Sequence, residues 1–170
     1  MAVAKIGDLI YDTLSAAVTA ANAMTGNVII DLIDNIALTG NLNINNNITI
    51  QGSYTMSLIN SYTKTIFTVK KDKSLTLDGG LVIECGNHWS INEETYWNAY
   101  ENCLKLSSYT EFFTPEETGI TVTGNLFSVP GTLNLNNVTI QNFFSISNRI
   151  VAASAGGKIN LTGAQILHCA

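Results

Sequence analysis

The residues best suited to chemistry concentrate between Gly86 and Gly119. Both tryptophans, Trp89 and Trp97, lie there, together with Tyr96, Tyr100, Tyr109, Phe112, Phe113 and His88. Six glutamates share the segment: Glu93, Glu94, Glu101, Glu111, Glu116 and Glu117. Aromatic faces offer an apolar surface to a pyranose ring, while nearby amides and carboxylates bond its hydroxyls. Trp89, Trp97, Tyr109 and Glu94 are the residues that would form such a platform. The other reading of the same aromatics is a small satellite core beneath a long loop. The glutamate pairs Glu93-Glu94 and Glu116-Glu117 raise glycoside hydrolysis, which needs two carboxylates at a set separation across the scissile bond. Adjacency in sequence does not set that separation, and adjacent glutamates ordinarily mark a helix's first turn or a solvated loop.

Elsewhere the chemistry thins out. Asp72 and Asp78, with Lys70, Lys71 and Lys73, read as one corner where acidic ligands and a basic residue could meet, but an exposed, solvated turn accounts for them. His88 and His168 are the only histidines, and neither has a recognisable partner. No phosphate-cradling glycine loop, nucleophile elbow or zinc spacing is present. The sequence therefore assigns no catalytic residue, no metal ligand and no cofactor. The cysteines, Cys85, Cys103 and Cys169, are odd in number and lack metal-like spacing. A Cys85–Cys103 bridge is conceivable, and three free buried thiols is the plainer reading.

Composition bounds the partners. The 170 residues suffice for one domain with a full core. Only 12% are charged, the net charge is -5 and Arg149 is the lone arginine. No basic stripe exists to neutralise phosphates, which argues against nucleic acid. No apolar run approaches the roughly 20 residues of a membrane helix, so no membrane insertion is expected. Met1 to Ile10 lacks the basic and long apolar regions of a signal peptide.

A repeated phrase supplies the elements that must hold the aromatic segment. Leu42-Asn43-Ile44 with Ile48-Thr49-Ile50 returns as Leu75-Thr76-Leu77 with Leu81 and Ile83, then as Leu133-Asn134-Leu135 with Val138-Thr139-Ile140, and last as Ile159-Asn160-Leu161 with Ile166. Phe67-Thr68-Val69, Phe127-Ser128-Val129 and Val151-Ala152-Ala153 form a second phrase. Repeats of this kind predict a solenoid. Polar turns such as Asn45-Asn46-Asn47, Asp78-Gly79-Gly80 and Asn136-Asn137 separate segments of period-2 alternation, and Asn and Gly tolerate the backbone of sharp corners. Three short strands per rung and a period of about 25 residues predict an all-β chain, a parallel β-helix with pairing between successive rungs. The interval from Leu42 to Leu75 exceeds that period and reads as a rung with extra loop. The interval from Leu75 to Leu133 is longer still and reads as a rung plus an insertion. The asparagines, many at corners or outward positions, could stack as amide ladders.

The ends differ. Asp12 or Thr13 can cap an amphipathic helix over 12–25, whose stripe is Leu14, Ala17, Val18 and Ala21, with Gly26 as its stop. This helix would cover the first rung. The expected organisation is a single domain over 1–170, with first rungs over 27–85, the aromatic insertion over 86–119 and further rungs over 120–170. Within the insertion, Ser90 and Glu93 read as a capping box. The following stripe, Tyr96, Tyr100, Cys103 and Leu104, would pack a helix against the solenoid's flank. The C-terminal rung has no matching lid. Either the chain continues with more rungs, the favoured reading, or another chain covers that edge by self-association.

The opening, Ala4-Lys5-Ile6-Gly7-Asp8, then Tyr11-Asp12-Thr13-Leu14, Asn35-Ile36-Ala37-Leu38 and Ile48-Thr49-Ile50-Gln51-Gly52, resembles the start of large right-handed β-helix bacterial surface proteins of adhesin-like type. Val138-Thr139-Ile140-Gln141-Asn142 is similar to phrases of the wider pectate-lyase-like superfamily. The resemblance covers most of the chain outside the insertion. It implies a right-handed parallel β-helix at the cell surface or secreted, as part of a longer protein, with a glycan or host-surface ligand. One scaffold hosts many functions. A polysaccharide lyase or hydrolase fragment and a phage tailspike or other virion structural protein are the alternatives it leaves open.

Overall fold

The chain opens on a hairpin of β1 (Ala4–Ile6) and β2 (Leu9–Tyr11), followed by one helix, α1 (Leu14–Ala23). The computed structural model describes residues 1–58, 64–86, 89–91, 113–115, 124–143, 149–167 and 169. After α1 the strands come in successive passes. The first pass is β3 (Asn27–Leu32), β4 (Ile36–Leu38) and β5 (Leu42–Ile44); the second is β6 (Asn47–Gln51), β7 (Thr55–Leu58) and β8 (Phe67–Val69). The third pass begins with β9 (Ser74–Asp78) and β10 (Val82–Glu84). It is then interrupted by β11 (Trp89–Ile91) and β12 (Phe113–Pro115), and resumes with β13 (Phe127–Val129). The fourth pass is β14 (Thr132–Asn136), β15 (Thr139–Gln141) and β16 (Val151–Ala153), and β17 (Lys158–Thr162) and β18 (Gln165–Leu167) follow.

The architecture is largely β, with parallel strands in three sheets. The first sheet has the order β17-β14-β9-β6-β3-β1-β2, the second β18-β15-β10-β7-β4 and the third β16-β13-β8-β5. From β3 onward each pairing in these sheets is parallel and joins strands of successive passes. Parallel pairing requires a crossover, which the other two strands of each pass supply.

Alternation explains the register. In β9, Leu75 and Leu77 are buried while Ser74, Thr76 and Asp78 face outward, and β14 repeats the pattern with Leu133 and Leu135 inside. The pairing then stacks like on like: Val28, Ile48, Leu75, Leu133 and Ile159 form one column, and Ile30, Ile50, Leu77, Leu135 and Leu161 the next. A one-residue slip would turn each apolar set to solvent, so burial specifies the register. Each fully buried aliphatic side chain contributes roughly 1.5–3 kcal/mol relative to exposure. The corner from the first sheet to the second needs glycine at Gly79. Its φ is +83°, and a Cβ there would stand 2.8 Å from the Gly52 nitrogen.

The register corrects one expectation. Leu42-Asn43-Ile44 does not stack on Leu75-Thr76-Leu77. Leu42 pairs with Phe67, and Leu75 pairs with Ile48 of the preceding pass. The interval from Leu42 to Leu75 compared strands of different sheets and so does not measure the length of a pass; the extra loop within it is the connection 59–66 between β7 and β8. The longer interval, from Leu75 to Leu133, does join adjacent strands. The chain between β10 and β13 is therefore an excursion that leaves the stacking of its own pass intact.

At the N-terminal end, Thr13 caps α1, its side chain accepting from the Ala16 amide at 3.1 Å. Leu14, Ala17, Val18 and Ala21 are the buried face. At the helix's far end, the Asn46 amide donates to the carbonyls of Ala21 at 3.0 Å and Met24 at 2.9 Å. It thereby satisfies acceptors that a helix terminus leaves open. The helix does not cover this end alone. β1 adds antiparallel to β3 and β2 to β1, which extends the first sheet beyond its parallel strands. At the opposite end Ile159, Leu161, Ile166 and Leu167 are 39%, 58%, 49% and 41% exposed, whereas the residues behind the first three, Leu133, Leu135 and Ile140, are buried.

Candidate functional site

The connections between strands are unequal in length, and the long ones share one corner. From the first sheet to the second, and from the third back to the first, the turns are short. From the second sheet to the third, after the first pass, the chain spends residues 59–66 between β7 and β8, 85–126 between β10 and β13, and 142–150 between β15 and β16. Regular strands on either side hold the ends of these connections in register, the arrangement in which a rigid scaffold positions variable loops. The aromatic segment belongs to the longest of them.

Its base is defined. β11 and β12 pair antiparallel, with Trp89 opposite Pro115, Ser90 opposite Thr114 and Ile91 opposite Phe113. Aromatic and β-branched residues on both strands favour that pairing. Ser90 is therefore the middle residue of a strand and not the cap of a helix beginning there, because its register with Thr114 continues to Ile91. Of the platform residues, Trp89 falls on this strand. Trp97, Tyr109 and Glu94 lie outside the described residues, as do the stripe Tyr96, Tyr100, Cys103 and Leu104, the glutamates of the insertion, and both histidines. The pairing of β11 with β12 brings together the two ends of the segment containing Glu94, Trp97 and Tyr109.

Glu84 fixes the point where the excursion departs, a role the sequence reading missed. Its carboxylate accepts from Gln141 Nε2 at 2.8 Å, from Asn142 Nδ2 at 3.0 Å to each oxygen, and from the Gly86 amide at 2.8 Å. A carboxylate accepting this many bonds ties two passes together and is committed to structure. The signal was visible only in the pairing, which sets Glu84 opposite Gln141 of the following pass.

Neither described thiol suits nucleophilic chemistry. Cys85 is a free, buried thiol whose pKa is pushed far up, first by burial and then by Cys169 and Glu84. Cys169 is half-buried and also free, and burial raises its pKa. The thiolate is the reactive form, and both environments disfavour it. Of the suggested Cys85–Cys103 pair, Cys85 is a free thiol and Cys103 lies outside the described residues. The suggested acidic corner also comes apart. Asp72 precedes β9 and Asp78 ends it, so a whole strand, about 13 Å or more of backbone, stands between them. Among the described residues no three His, Cys, Asp or Glu side chains converge so as to hold a metal ion. No helix among them is long and apolar enough to cross a membrane.

The outward face of the first sheet is a polar lattice. Asn134 Nδ2 donates to Thr76 Oγ1 at 2.9 Å, and Asn160 Nδ2 donates to Asn134 Oδ1 at 2.7 Å. In the next column Gln51 Nε2 donates to Asp31 Oδ1 at 2.8 Å. These bonds run along the stack, from pass to pass, and reinforce the backbone ladder.

These features define a class: a mostly β chain whose parallel strands stack repeated phrases in register and whose long connections issue from one corner. Comparison with family models, curated proteins and solved structures gives no match.

Proposed function

We propose that the chain is a right-handed parallel β-helix of an adhesin-like surface protein, acting without catalysis, with the stack as a stiff stalk and the 86–119 insertion as a glycan-binding loop. The observation that carries this reading is the in-register pairing of successive passes, combined with the restriction of long connections to one corner. Parallel crossovers are right-handed in about 98% of cases, which supports the hand. In a solenoid each repeat rests on its neighbours, so stiffness extends along the whole stack. Loops issuing from one corner would lie along one line, where several weak contacts add. The aromatic and acidic composition of the insertion suits a sugar, with Trp89, Trp97, Tyr109 and Glu94 as the binding residues. Placement at the cell surface, or in a secreted protein, rests on the resemblance of the opening residues to β-helix surface proteins.

A glycan array tests the reading. The chain is expected to bind a subset of glycans, and the double variant Trp89→Ala, Trp97→Ala should lose that binding while its circular dichroism stays native. An inert array for both proteins, or full binding by the folded double variant, would overturn the assignment to the insertion.

A further inference from the structure

Where α1 meets β5, a groove of about 320 Å³ runs between the helix and the corner that follows β5. The hydroxyls of Ser15 and Thr19 and the amides of Asn22, Asn41, Asn43 and Asn45 line it. Val18 and Leu42, both buried, form its apolar floor. No charged side chain lines it, in a chain that otherwise carries net charge -5.

The groove is held in shape by two of its own amides. Asn22 Nδ2 donates to the Asn43 carbonyl at 2.7 Å, and Asn22 Oδ1 accepts from the Asn45 amide at 2.8 Å. These two bonds clamp the corner to the helix and still leave Asn22 one N–H and one lone pair. Asn41 Nδ2 donates to the Thr65 carbonyl, which fixes the outer wall to the next pass. The side-chain amides of Asn43 and Asn45, by contrast, make no hydrogen bond within the described protein. Both side chains are exposed and spend nothing on the fold.

We propose that this groove binds a neutral sugar residue. An amide presents a donor and an acceptor side by side, the pattern that a pair of vicinal hydroxyls matches. The side-chain amides of Asn43 and Asn45, the remaining N–H and lone pair of Asn22 and the Ser15 hydroxyl supply that pattern, and the apolar floor faces the sugar's C–H side; the Thr19 hydroxyl is turned to the Ser15 carbonyl at 2.8 Å. The volume stands at the lower end of the about 300–1,000 Å³ of small-molecule sites, the size of one or two sugar rings rather than a long chain. The absence of a lining cation selects neutral hexoses and N-acetylhexosamines over uronates, whose carboxylate would go unpaired. The inference borrows from the proposed function only the class of ligand, and it places that ligand beside α1, at the first pass, rather than on the insertion.

The test is a titration of the 15N-labelled chain with methyl glycosides of glucose, galactose, mannose and N-acetylglucosamine, and with galacturonate, followed by nuclear magnetic resonance. Saturable shifts of the Asn22, Asn43 and Asn45 side-chain amides by at least one neutral glycoside are expected, with galacturonate binding at least tenfold more weakly. The variant Asn43→Ala, Asn45→Ala should weaken binding tenfold or more with an unchanged melting temperature. Unchanged affinity in that variant, galacturonate binding as tightly as the neutral sugars, or no shift in the groove would overturn the proposal. Array binding that depends on Trp89 and Trp97 without groove shifts would overturn this inference alone. Groove shifts in a protein whose array binding ignores those tryptophans would overturn the insertion reading alone.

Discussion

Leu77→Asp is expected to leave the chain without a cooperative thermal transition, while Thr76→Asp, one residue away, melts nearly as the parent does. Leu77 is 0% exposed and stacks between Ile50 and Leu135, both buried. The substitution removes a buried aliphatic side chain, which costs about 2–5 kcal/mol. It also buries a carboxylate with no partner, which costs several kcal/mol more unless the group takes up a proton. Together these approach the roughly 5–15 kcal/mol that stabilises an ordinary domain. Thr76 faces outward beside Asn134 Nδ2, where an aspartate keeps its water and gains a donor, so its cost should stay below about 1 kcal/mol. Circular dichroism melts of the pair decide the matter. Equal melting of the two variants would mean that the inward and outward sets are assigned wrongly.

Phe127→Ala should cost about 3–5 kcal/mol. Phe67 and Phe127 are both fully buried, their ring centroids 5.1 Å apart and their planes within 19°. They belong to β8 and β13, which pair directly although the whole aromatic excursion intervenes between β10 and β13. Their stack is a side-chain contact that joins β8 to β13 across the excursion. In a double-mutant cycle with Phe67→Ala the coupling should be about 0.5–1.5 kcal/mol, the range for stacked aromatic pairs. Urea denaturation measures both quantities. A loss below about 1 kcal/mol, or strict additivity, would show that the excursion displaces β13 from β8.

Much of this architecture was legible as alternation. Period-2 triplets mark strands wherever one face is buried, and Leu14, Ala17, Val18 and Ala21 marked the buried face of α1 because successive turns of a helix bring such spacings to one side. What alternation does not encode is sheet identity. Leu42-Asn43-Ile44 and Leu75-Thr76-Leu77 look alike because both present two aliphatic residues to one core, yet they belong to the third and first sheets. Only the pairing of Phe67 with Leu42 reveals that the interval between them mixed the two. The β1–β2 hairpin escaped notice because such short strands at an edge carry almost no pattern, and Leu9 and Ile10 are exposed. Asn46 read as one more turn residue, and its bonds to Ala21 and Met24 depend on a tertiary meeting with the end of α1. At the candidate site the excursion occupies 85–126, between β10 and β13, and most of the aromatic segment lies outside the described residues. Ser90 misled because a serine placed shortly before a glutamate marks a helix start only where no partner strand is available, and Thr114 supplies one.

The central claim is that distant repeats lie in one column at ladder spacing. Ile29, Thr49, Thr76, Asn134 and Asn160 are successive outward residues in the first sheet. Ile29 and Asn160 are therefore four ladder steps apart, about 19 Å at roughly 4.8 Å per step. Spin labels on Ile29→Cys and Asn160→Cys, in a chain whose native cysteines are replaced by alanine and whose circular dichroism is unchanged, read that distance by double electron–electron resonance. A narrow distribution centred at about 20 Å is the expected result. A distance beyond about 30 Å, or a broad featureless distribution, would contradict the stacked account.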